Sequence, residues 1–236
     1  MVTQQDHKND HKNDHNAEST AIRQTPKIIS EMVHAAETLS KIGPAVSVFG
    51  SARIQPDSPY YAQSLEIGRL LAKSGLAVIA GGGPGIMEAA NKGAYEAGGK
   101  SVGLNIVLPF ETRINPYQTI GISFEFFYSR KATFFMHSMA YVALPGGFGT
   151  LDELFEAFTL MQTGKIPPGP IILVGSTFWT GLIDWIREQL LGLGLISPSD
   201  MDLFRLVDDP KDVAKILTDF YATHQTEANE RNRLPN

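Results

Sequence analysis

The chain has 236 residues, a formal net charge of −5 and no cysteine, and 43% of its residues are hydrophobic. That length suits one globular domain with an ample core, and the missing thiols exclude disulfides, Cys-ligated zinc and thiol catalysis. The acidic balance argues against nucleic acid or an anionic membrane as partner, and no apolar run nears the ~18 residues that would span a bilayer.

The chain opens on a polar repeat, Asp6-His7-Lys8-Asn9, repeated over 10–13 and in part over 14–16. Such a run buries too little apolar area to offset the entropy of ordering it, so residues 1–20 are expected to form a disordered tail. His7, His11 and His15 have a spacing that would suit a metal on a helix, but a solvated low-complexity arm accounts for them and no metal site is expected. The start also has no apolar stretch of the signal-peptide kind, which points to a cytoplasmic protein.

Beyond the tail, amphipathic stretches alternate with short β-rich runs. The reading is helix 28–42, strand 45–49, helix 60–73, strand 76–80, helix 86–97, strand 100–106, strand 122–126, helix 130–139, strand 141–144, helix 151–163, strand 171–174, helix 180–191, strand 203–207 and helix 210–222. Residues 225–236 read as a second polar tail. Runs such as Ala77-Val78-Ile79-Ala80 are apolar on both faces, as strands covered by helices on both sides must be. This rhythm predicts an α/β fold, a Rossmann-like doubly wound and mainly parallel sheet flanked by helices on both faces, as one domain over 21–224.

In such a sheet ligands bind beyond the carboxyl ends of the strands, near the point where strand order reverses. Three strand-to-helix junctions lie there: Gly50-Ser51-Ala52-Arg53, Gly81 to Gly85, and Pro145 to Thr150. Ser51 and Gly83 are candidate binding residues in the first two. In the third, Gly146, Gly147 and Gly149 allow a ligand close to the backbone, and Thr150 is placed to cap the next helix. The free N–H groups of that helix's first turn form an anion site, with phosphate the natural occupant. Glu153, one turn beyond Thr150, is either a base, a carboxylate that stabilises developing positive charge, or the partner of a capping box. At the other constellation, Phe124 to Lys131, Arg130 could grip a phosphate or carboxylate through its planar fork, while Lys131 points about 100° away on a helix and does a different job.

The run from Gly81 to Glu88 is a poor dinucleotide fingerprint, because it follows the second strand and has Glu88 where the third glycine belongs. No Walker pattern occurs, and no cofactor is expected. His34 and His137 read as ordinary helix residues.

Together, Pro145-Gly-Gly-Phe-Gly-Thr-Leu-Asp-Glu153, Arg130-Lys131 and the run Gly81 to Glu88 resemble the Lonely Guy family of cytokinin riboside 5′-monophosphate phosphoribohydrolases, long mislabelled as possible lysine decarboxylases. The resemblance covers about 45–207, and the aromatic cluster 124–135 and the stretch 159–165 look like the longer bacterial branch. It implies hydrolysis of AMP or an N6-modified adenosine monophosphate to free base and ribose 5-phosphate, with a homodimer or higher homo-oligomer as the assembly. It also implies Arg130 and Glu153 as catalytic residues, and substrate contacts at Lys131, Gly146, Gly147, Gly149, Thr150, Thr159 and Glu111. The alternative is a non-catalytic nucleotide-binding or carrier protein of related fold, which would share the phosphate cradle; a lysine decarboxylase is a third, weaker reading.

Overall fold

A computed structural model describes residues 11–108 and 113–231. The strands are β1 (Ala45–Phe49), β2 (Ala77–Ala80), β3 (Ser101–Ile106), β4 (Ile120–Phe124), β5 (Ala140–Ala143), β6 (Ile171–Leu173) and β7 (Phe204–Leu206). They form one seven-stranded sheet in the order β4-β3-β2-β1-β5-β6-β7, with every pairing parallel. The helices are α1 (His11–Leu39), α2 (Pro59–Lys73), α3 (Ile86–Glu96), α4 (Phe127–His137), α5 (Phe148–Gln162), α6 (Ser176–Trp185) and α7 (Pro210–Arg231), with a π-helical stretch, Ile186–Leu191, continuing α6.

The period of two along each strand divides the core. Ala45 and Phe49 of β1, Ile79 of β2 and Tyr141 of β5 pack with α1, α4, α5 and α6, whereas Val46, Val48, Val78 and Val142 pack with α2, α3 and α7. Both faces are therefore covered, which is why these strands read as continuous apolar runs. The chain steps outward from β1 through β2 and β3 to β4, then returns to place β5 on the other side of β1. The reversal thus lies between β1 and β5. Registers Val48↔Ala80 and Phe49↔Ala143 bring the carboxyl ends of β2, β1 and β5 level, so their outgoing junctions meet above one edge.

Several boundaries differ from expectation. α1 begins at His11, with Pro26 inside it, instead of near 28. Residues 11–16 of the repeat are helical although His, Asn and Asp are weak helix formers. The first ten residues of the expected tail lie outside the described residues, as do 232–236 of the second; α7 runs on to Arg231. α6 starts at Ser176, four residues early, because the Asp208 carboxylate accepts from the Gly175 and Ser176 N–H groups at 3.0 and 2.7 Å. That cap comes from the end of β7, far along the chain. Among the described residues no helix is long and apolar enough to cross a membrane.

Candidate active site

Ser51 ties the three junctions together. Its N–H donates to Pro145 O at 3.1 Å, and its carbonyl accepts from Ile86 N–H at 3.0 Å. The backbone leaving β1 is therefore stapled on one side to the loop after β5 and on the other to the start of α3. Between the loops opens a cleft of about 810 Å³, a size that suits a small-molecule ligand. Ser51 and Arg53, Gly81 to Pro84, and Gly147 to Glu153 line it, with Phe127 and Arg130 of α4 and Leu108 and Ile114 at its mouth.

One wall is the amino end of α5. The helix begins at Phe148 with Gly147 in the cap position, so Thr150 is inside the first turn and does not cap it as expected. The Thr150 side chain lies over Gly146, just ahead of the cap, where a methyl would collide with it. Glycine offers the first turn no side-chain acceptor, and these N–H groups lie at the cleft wall with the positive end of the helix dipole. An oxyanion is the complementary ligand.

Glu153 stands in the second turn, six residues after Gly147. A capping box needs its acid three residues after the cap, so that alternative falls. The Glu153 side chain is only 15% exposed. Burial pushes its carboxyl up to about 7, opposed by Arg130 and assisted by Asp152. Arg130 Nη2 lies 4.0 Å from Glu153 Oε1. The guanidinium is itself buried, near the rings of Phe127 and Phe134 at 5.9 and 5.5 Å, and its Nε has no hydrogen-bond partner among the described residues. Burial draws its pKa below the ordinary value, against the pull of Glu153. Gly81 makes room for it: a methyl there would lie 2.4 Å from Arg130 Nη2. A cation and an acid, both desolvated and loosely paired, thus face a cleft with an anion seat in its wall.

The structure brings together Arg130, Glu153, Ser51, Gly83, Gly147, Gly149 and Thr150 at this cleft, with Gly146 directly beneath Thr150. It does not bring Lys131 or Thr159. Lys131 Nζ is held by Asp152 at 2.9 Å and Glu156 at 2.6 Å, outside the cleft lining. Thr159 is exposed two turns farther along α5, its hydroxyl donating to Phe155 O at 2.8 Å. Glu111 lies outside the described residues.

Sequence reasoning missed the amide layer that shapes the loop after β2. Asn115 donates from its backbone to Gly82 O at 2.9 Å and from its side chain to Gly83 O at 3.1 Å, while Gln118 Nε2 reaches Gly82 O at 3.1 Å. Asn105 and Gln118 exchange amide hydrogen bonds at 3.1 Å in both directions. A polar Asn105 near the end of the buried strand β3 was the signal that could have shown it. Among the described residues no group of three or more His, Asp or Glu side chains could hold a metal ion.

Three comparisons bear on this geometry. The family model described as possible lysine decarboxylase matches residues 87–217. A cytokinin riboside 5′-monophosphate phosphoribohydrolase of Mycobacterium tuberculosis is 34% identical over 173 residues, covering 67% of this chain and 87% of that relative. The Arabidopsis thaliana cytokinin riboside 5′-monophosphate phosphoribohydrolase LOG1 is 28% identical over 178 residues, covering 73% of this chain and 81% of the relative. Among solved structures, the molybdenum cofactor carrier protein of Chlamydomonas reinhardtii aligns with a TM-score of 0.57 at 23% identity, over 76% of this chain and 98% of that one, a likeness of fold.

Proposed function

The chain belongs to the Lonely Guy family, the group whose domain model is described as possible lysine decarboxylase, and from that membership we propose that it hydrolyses the N-glycosidic bond of AMP or of N6-modified adenosine 5′-monophosphates. The products are the free base and ribose 5-phosphate. The observation that carries this reading is the buried pair, Glu153 beside Arg130 at 4.0 Å, at the same cleft as the uncapped start of α5.

The 5′-phosphate occupies the amino end of α5, against the backbone of Gly147 to Thr150. Its binding energy then positions a glycosidic bond several ångströms away. Breaking that bond leaves positive character at the anomeric carbon. The bond from C1′ to the base nitrogen breaks with its electron pair going to the base, and a water oxygen bonds to C1′. The water gives up a proton and the departing base takes one up. Ionised Glu153 accepts the water's proton and faces the cationic sugar, the part that carboxylates play in glycoside hydrolysis. Arg130 holds Glu153 in place and adds a cation for the phosphate or ribose oxygens. The exposed apolar side chains at the mouth, Leu108, Ile114 and Phe127, suit an adenine with an apolar N6 substituent. Homodimers or larger homo-oligomers in a cytoplasmic setting complete the reading.

Lys131 speaks against decarboxylation through a lysine Schiff base. Burial lowers its pKa, but the Glu156 and Asp152 carboxylates outweigh that and hold the ammonium above its ordinary value. A Schiff-base lysine needs the neutral amine free to reach a carbonyl.

The test is incubation with AMP, N6-isopentenyl-AMP, GMP and CMP, followed by chromatography for liberated bases. Adenine or isopentenyladenine should appear with ribose 5-phosphate. Tight AMP binding with no base released would sink the hydrolase and leave a carrier, the role named for the Chlamydomonas protein of the same fold.

A further inference from the structure

We infer that Lys131 is a positioning residue: with Asp152 and Glu156 it forms a three-charge clamp that seats α4 against α5 and thereby fixes the approach of Arg130 to Glu153. The inference rests on the reading of Glu153 as the acting carboxylate.

On α4, Arg130 is turned into the cleft while Lys131, about 100° round the helix, reaches α5. On α5, Glu153 and Asp152 both line the cleft, and Asp152 and Glu156, spaced i, i+4 and so on one helix face, receive the Lys131 ammonium at 2.9 and 2.6 Å. Lys131 and Glu156 are partly sheltered, at 22% and 31% exposed, so solvent screens that pair less than an open surface pair, whereas Asp152 is 57% exposed. The Lys131 ammonium donates to Asp152 Oδ1 at 2.9 Å and is ion-paired with Glu156 Oε2, an atom with no hydrogen-bond partner among the described residues. A nucleotide that drew Lys131 away would have to break these pairs between the helices.

The same three charges set the field at Glu153. Among the described residues, the charges that act on it are Arg130 and Lys131 from α4 and Asp152 and Glu156 from α5; both cations favour its ionised form and both acids oppose it. Removing Lys131 leaves two uncompensated carboxylates beside Glu153, whereas removing either carboxylate has the opposite sign. The paired shifts report that these charges act on Glu153, and a fall in kcat with KM unmoved reports the positioning.

The experiment uses the full chain in four variants, Lys131→Met, Lys131→Arg, Asp152→Asn and Glu156→Gln. Carbon-13 NMR follows the titration of the Glu153 carboxyl, assigned through Glu153→Gln, and steady-state assays give kcat and KM for AMP. Lys131→Met should raise the Glu153 midpoint by roughly 0.5 to 1 pH unit and lower kcat about 10-fold, with KM within about 2-fold of the parent. Asp152→Asn and Glu156→Gln should lower the midpoint, and Lys131→Arg should stay near the parent. A KM raised about 10-fold in Lys131→Met, with kcat and midpoint unmoved, would overturn the inference and return Lys131 to the substrate. If Lys131→Met does not fold, midpoints that fail to drop in the two carboxylate variants overturn it equally. A parent protein that releases no base from AMP removes the hydrolase reading by itself; the titration shifts are still measured in that protein and judge the clamp separately.

Discussion

The two glycine-rich junctions beside β1 use the same residue for opposite physical ends. In the loop after β2, each glycine is hemmed in. A methyl on Gly81 would meet Arg130 Nη2 and Met87 Sδ, one on Gly82 would lie 1.9 Å from Asn105 Oδ1, and one on Gly85 would lie 2.4 Å from Ser51 O. Gly82 and Gly85 also have φ of +76° and +68°, where side chains are strained. In the loop after β5, methyls on Gly147 and Gly149 would meet nothing within 4 Å among the described residues, and neither has positive φ. The first loop is closed: its glycines admit other parts of the protein, above all the Arg130 guanidinium. The second is open at Gly147 and Gly149, which line the cleft. A count of glycines would treat them alike; the neighbours of each absent methyl separate them.

The largest effects should come from the pair that the two loops hold between them. Arg130→Ala and Glu153→Gln are each expected to lose at least ~100-fold in kcat for AMP with the fold retained, measured by base release and circular dichroism. Near-normal turnover in either would mean that neither loop serves a catalytic pair.

Next comes the closed loop itself. Gly82→Ala combines left-handed backbone with overpacking against an Asn105 already held by Gln118, and is expected to cost about 2–4 kcal/mol in denaturant unfolding. Gly81→Ala should differ in kind, because the atom it meets is the far end of an arginine. The guanidinium can shift, so kcat should fall more than stability does. Equal, small effects from both would show that this loop is not packed as described.

How much of this was legible in the residues follows from how local each cause is. β1 occupies the expected 45–49 because Ala-Val-Ser-Val-Phe is bounded by Pro44 and Gly50, both local signals. The starts of α4, α5 and α6 at Phe127, Phe148 and Ser176 each lie three or four residues ahead of expectation. For α6 the cause is Asp208, more than 30 residues away. Arg130 and Glu153 could be singled out because each follows a strand at the binding edge, but only tertiary packing puts them 4.0 Å apart. Lys131 was assigned to substrate by resemblance; its carboxylate partners sit on a different helix, where no spacing in α4 could reveal them.

A smaller effect concerns what it costs to keep an acid under the open loop. The Glu153 value of about 7 in the fold lies above its ordinary 4.5, so the stability contributed by this group is intact below about pH 4.5 and is lost as pH rises through 7. Glu153→Gln removes that penalty. At pH 8 the variant should be more stable than the parent, by up to about 3 kcal/mol, and the gain should vanish by pH 4.5; thermal melts at the two values decide it. In the parent, kcat/KM should rise with pH through about 7 as Glu153 ionises. A profile flat from pH 5 to 8 would separate catalysis from this carboxyl.

The finest test of the contrast is Gly149→Ala. Its methyl would enter open space at the cleft lining, so packing gives no reason for instability. Alanine also favours helix over glycine, by up to about 1 kcal/mol in a helix interior and less near an end such as this first turn of α5. Thermal unfolding should therefore be unchanged or slightly improved. A ligand phosphate seated on the same turn would be crowded by the new methyl, and KM for AMP should rise roughly 10-fold, or about 1.4 kcal/mol of binding. Stability and affinity thus move in opposite directions, the reverse of what Gly82→Ala does to the closed loop. If Gly149→Ala leaves KM unchanged, the nucleotide does not approach that backbone, and the space around Gly147 and Gly149 has to be assigned to something other than its phosphate.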